Sequence, residues 1–158
     1  MSRRRTSVAL GALTTILLLA GCTPTPKEDP AMTPHEARDQ LVNTVKDTAA
    51  RLTVTGWTED SAPDVGSCDG DVPSVDYGYG YGAAPGADHL ADAQTVADYW
   101  KTLGMTVRVE ISPDPVVFAT GGPVKGLSFS TAPGNYYISG TSLCVPGDID
   151  ALTDEQAG

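Results

Sequence analysis

Met105-Thr-Val-Arg-Val-Glu-Ile111 alternates apolar and polar residues without a break. That period of two is the mark of a strand with one buried face. Downstream, Ser112-Pro-Asp-Pro115 turns the chain into Val116 to Thr120, and Gly121-Gly-Pro123 turns it again into Val124 to Thr131. Ala132-Pro-Gly-Asn135 makes a third turn into Tyr136 to Cys144. Strand-like runs joined by connections this short predict an antiparallel meander. Upstream, Leu90, Ala93, Val96, Ala97, Trp100 and Leu103 recur at helical spacing, with Asp88 or Asp92 as cap and Gly104 as stop.

Further upstream, Thr33-Pro34-His35-Glu36 opens a second helix, predicted over about 34 to 52. Thr33 suits the cap, Pro34 the first turn, and Glu36 completes a capping box. Its apolar stripe is Ala37, Leu41, Val45, Ala49 and Leu52. Residues 59 to 73, rich in acids, Pro and Gly, read as a loop. After Pro146 the acidic run GDIDALTDEQAG reads as a fraying tail. The predicted fold class is α+β, with two amphipathic helices packed on one face of an antiparallel sheet of about four to five strands.

The N-terminus reads as a targeting segment. Arg3, Arg4 and Arg5 precede an apolar run from Val8 to Ala20, which is short for a membrane span. Leu19-Ala20-Gly21-Cys22 resembles the bacterial lipobox. The resemblance implies cleavage before Cys22, a diacylglycerol on its sulfur, and residence on the outer face of the cell membrane, held by lipid. Thr23 to Thr33, with three prolines, reads as an extended tether. The expected organisation is a signal peptide over 1–21, a lipidated Cys22 and tether over 22–33, one domain over 34–146 and a flexible tail over 147–158.

Composition narrows the partners. The 158 residues carry 20 acidic and 10 basic side chains. Loss of Arg3 to Arg5 would leave a still more acidic mature chain, which is unsuited to nucleic acid because phosphate binding needs clustered Lys and Arg. With Cys22 assigned to lipid, Cys68 and Cys144 remain as an even pair in an oxidising compartment, which predicts one disulfide.

Chemistry-bearing motifs are sparse. His35 and His89 have no partner at zinc-ligand spacing, and no nucleophile elbow, phosphate loop or dinucleotide fingerprint occurs. Asp69-Gly-Asp71 lacks the spaced ligands and closing Glu of a calcium loop. No catalytic residue, metal or cofactor is therefore assigned. Val75-Asp76-Tyr77-Gly78-Tyr79-Gly80-Tyr81-Gly82 places Tyr77, Tyr79 and Tyr81 on one strand face and glycines on the other. Two readings stand: the rings pack on the helices, or they form a recognition surface for sugar or peptide.

Tyr99-Trp100 through Gly104, the following meander and Ser142-Leu-Cys144 resemble small uncharacterised lipoproteins of actinobacteria. The resemblance implies envelope location and a disulfide-closed domain, and carries no activity. The leading expectation is a non-enzymatic envelope lipoprotein binding another protein or a wall polymer. The alternatives are an envelope hydrolase using a carboxylate pair, and an inhibitor or immunity-type lipoprotein.

Overall fold

The computed structural model describes residues 31–132, 134 and 136–158. The signal segment, Cys22 and most of the tether lie outside the described residues. The elements in order are α1 (Pro34–Ala49), β1 (Thr58–Glu59), β2 (Asp64–Ser67), β3 (Ser74–Ala83), α2 (His89–Thr102), β4 (Thr106–Glu110), β5 (Val116–Thr120), β6 (Gly126–Ser130), β7 (Tyr136–Thr141), β8 (Val145–Pro146) and α3 (Ile149–Ala157).

Helix α1 begins where the capping box directs it. The Glu36 amide donates to Thr33 Oγ1 at 3.3 Å, and the Thr33 amide donates to the Glu36 carboxylate at 2.8 Å. Its stripe of Ala37, Leu41, Val45 and Ala49 is buried against β3 and β7, while α2 lies over β4 and β5. Trp100 joins the two helices. Its ring is fully buried, and Nε1 donates to Thr48 Oγ1 at 2.9 Å. An indole buried without a partner would forfeit that hydrogen bond, so Thr48 is what allows a Trp at the centre of the core.

All strand pairings are antiparallel, in the spatial order β1-β3-β7-β6-β5-β4, with β2 and β8 also paired to β3. Strand β3 is the hub. Its ten residues bond to β7 and β8 along one edge and to β1 and β2 along the other. A disulfide joins Cys68, just after β2, to Cys144, just before β8. It fastens the two short strands that flank the start of β3. By loop-closure entropy, a link across 76 positions stabilises the fold by roughly 4–5 kcal/mol.

Two expectations are corrected. Among the described residues the sheet has eight strands and there are three helices, against the predicted four to five strands and two helices. The surplus strands β1, β2 and β8 span two to four residues and carry no alternating apolar pattern. They exist because β3 presents backbone donors and acceptors on both edges, and neighbouring chain satisfies them. The expected flexible tail over 147–158 is instead α3. Asp148 caps it, accepting from the amides of Asp150 and Ala151 at 3.0 and 3.2 Å. Ile149 and Leu152 pack on a small cluster of Ala37, Val75 and Val145. Glu155 meets His35 Nε2 at 3.0 Å, and Gln156 donates to the Pro63 carbonyl at 2.8 Å. Two apolar residues one turn apart were enough to dock a segment whose composition is otherwise that of a solvated tail.

Candidate functional site

The helices cover one face of the sheet, so the tyrosine ladder can be placed directly. Tyr77 and Tyr79 point into the helix layer and retain 1% and 5% exposure. Tyr81, at the end of the ladder, is half-buried and stacks on Trp57 at 5.6 Å and on Tyr79 at 6.2 Å. Of the two readings, packing on the helices holds for Tyr77 and Tyr79, which are too buried to form a recognition surface, while Tyr81 stays half-exposed. Burial, and the Glu59 carboxylate near its hydroxyl, hold the Tyr79 pKa above the usual tyrosine range.

What the sequence reading missed lies on the opposite, open face. There β3 shows Gly78, Gly80 and Gly82, and β7 shows Tyr137, Ser139 and Thr141. The register lines these up in rows across the sheet. One row runs Gly80, Ser139, Ser128, Phe118, Arg108 from β3 to β4. The row beside it runs Gly78, Thr141, Gly126, Thr120, Thr106. Small residues thus occupy the middle of the face, and the rings of Tyr137 and Phe118 stand on either side.

Both rings are held in place. The Tyr137 ring lies over Gly80 so closely that any Cβ there would force the ring to move. The Asp60 carboxylate near that hydroxyl, and then burial, push the Tyr137 pKa up to about 12. The Phe118 ring is covered by the Arg108 guanidinium, centred 4.6 Å from it. Between the rings, Ser128 and Ser139 share a 2.8 Å hydrogen bond.

The result is an open groove of about 550 Å³, floored by β-strand backbone and small side chains. Asp60, Ser61 and Asp64 form its rim, and the described residues lining it include no Lys or Arg. Its size falls in the range of small-ligand and oligomer sites. The lining offers aromatic rings, hydroxyls and carboxylates, and the cation beside it, Arg108, is engaged over the Phe118 ring and by Glu110.

The remaining cluster of acidic and sulfur ligands is spent elsewhere. Cys68, Asp76 and Cys144 lie close together, but the two sulfurs are bonded to each other. Asp76 instead takes an ion pair from Lys125 Nζ at 3.1 Å. Among the described residues no helix is long and apolar enough to cross a membrane.

No family model and no curated protein matches the chain. Among solved structures, the chain is similar to a DUF4853 family protein from Actinomyces odontolyticus, with 15% sequence identity and a TM-score of 0.47. The match covers 72% of this chain and 64% of that one.

Proposed function

We propose that this chain is a lipid-anchored, non-enzymatic binding module of the cell envelope, and that the open face of its sheet takes a hydroxyl-rich, uncharged stretch of wall glycan. The observation that carries the reading is the groove between Tyr137 and Phe118. Two fixed rings, one of them stacked under the Arg108 guanidinium, bound it with apolar surface, and the serine and threonine hydroxyls between them offer donors and acceptors. The acidic rim argues against a polyanionic wall polymer, which would meet like charge there. The lipobox at Cys22 supports the anchored location, and the tether between Cys22 and α1 supplies reach from the lipid.

The test uses the full chain with Cys22→Ser, beside Tyr137→Ala and Phe118→Ala variants of it. Retention on purified insoluble wall polysaccharide is expected for the parent, with loss of roughly tenfold in affinity for each variant, equivalent to about 1.4 kcal/mol. Equal retention by all three would remove the groove as the contact. Preference for an anionic polymer over the neutral glycan would overturn the ligand class. For the anchor, metabolic labelling with an alkyne fatty acid should mark the native chain and spare Cys22→Ser; label on both would sink it.

A further inference from the structure

Among the described residues, strand β4 is the last strand of the sheet, paired to β5 on one side only. The opposite edge is broken into the short β1 and β2, with Gln156 of α3 donating to Pro63 beside β2. Strand β4 instead offers an uninterrupted five-residue edge. A bare edge is a template for a further strand, and proteins commonly guard one with charge.

Here the charges are of opposite sign and two residues apart. Arg108 and Glu110 share the open face, with side chains 61% and 54% exposed, and pair with each other. On the other face Val107 and Val109 are half-buried, and Ile111, just past the strand, is 66% exposed.

The stretch Val107-Arg-Val-Glu-Ile111 is its own complement when run antiparallel about Val109. Arg108 then falls opposite Glu110 of a second copy, and Glu110 opposite Arg108. On the helix side Val109 meets Val109, and Val107 meets Ile111, covering the most exposed apolar side chain near this edge. Either hydrogen-bonding phase of an antiparallel pair accepts this register, because bonded and non-bonded positions alternate. Cross-strand opposite charges stabilise such a pair and like charges oppose it.

We infer that β4 is a self-association edge. A second copy of this chain pairs with it antiparallel about Val109, making one sheet continuous across a two-fold axis. The two glycan grooves would then lie on the same side of the joined sheet, but the inference stands without them.

The experiment is sedimentation of the full chain with Cys22→Ser, from about 5 to 500 µM, with three variants on that background. The parent should form a reversible dimer. Arg108→Glu and Glu110→Arg should each place like charges opposite one another twice and weaken the dimer about tenfold. The double exchange Arg108→Glu/Glu110→Arg should restore it, since each charge again meets its opposite. Thermal melting of the same samples checks that every variant folds. A parent that stays monomeric throughout, or a dimer indifferent to the single reversals, would overturn the inference. So would a double exchange no better than the singles, which would mean that another protein or another surface uses this edge.

Discussion

The two faces of this sheet are built from the same strands yet differ in almost every physical respect. On the helix side, Tyr77, Phe129, Tyr136, Ile138 and Val117 close around Trp100 with essentially no exposure. On the open side, residues one position along each strand are Gly78, Gly80, Ser128, Ser139 and Phe118, and they stay half-exposed. A pleated strand sends alternate side chains to opposite faces, so one sequence writes two surfaces at once. The lesson is that the bulkiest aromatic run of the chain marks its core, and the barest run beside it marks its accessible surface.

That contrast can be broken by substitution. The largest effect is expected from Trp100→Ala, which removes a fully buried ring and the hydrogen bond its indole donates to Thr48; a loss of about 3–5 kcal/mol in denaturant unfolding would follow. If Tyr137→Ala on the open face cost as much, the two faces would not differ as described.

Glycines sharpen the comparison. Gly140 faces the helices, and a Cβ there would meet Leu127 Cδ2 at 2.5 Å, Leu41 Cδ1 at 2.9 Å and the Gly126 carbonyl at 3.1 Å. Gly140→Ala should therefore destabilise by about 1–3 kcal/mol through overpacking. Gly78, on the open side, has nothing within 4 Å of its Cβ position.

Alkaline titration separates the faces by a different route. Burial raises the pKa of Tyr77, Tyr79 and Tyr136 on the helix side, while hydrogen bonding to Asp60 leads the rise of Tyr137 on the open side to about 12. A raised folded-state pKa means stability fully present below the unfolded value near 10, and lost as pH climbs through the folded values. Phenolate absorbance should thus lag behind free tyrosine above pH about 10 and rise together with unfolding. In an Asp60→Asn variant the Tyr137 component should move to lower pH, leaving the buried three in place. An unchanged curve would show that Asp60 does not hold Tyr137.

The smallest effect is expected for Gly78→Ala: a gain of about 0.5 kcal/mol from reduced unfolded-state freedom, with nothing to clash. A loss comparable to that of Gly140→Ala would mean that the open face is more tightly covered than it stands here.

Much of the frame was legible because it is local. The capping box at Thr33, the helical stripes of α1 and α2 and the alternation in β4 each act over a few residues. The Cys68–Cys144 pairing followed from counting. The short strands β1, β2 and β8 were not legible, since their reason for being is the double-edged backbone of β3, distant in sequence. Helix α3 escaped for a related reason: Asp148, Ile149 and Leu152 are a weak signal until Ala37, Val75 and Val145 come together to receive them.

The sequence by itself determined which residues alternate, where two of the helices start, and which cysteines were free to pair. Only the tertiary structure decided which side of the alternation is covered. Periodicity says that Tyr77 and Gly78 point opposite ways, but not which way the helices lie. The same packing decided that Tyr137, unremarked in its strand, should lean over Gly80, far from it in sequence, because a missing Cβ left room for a ring.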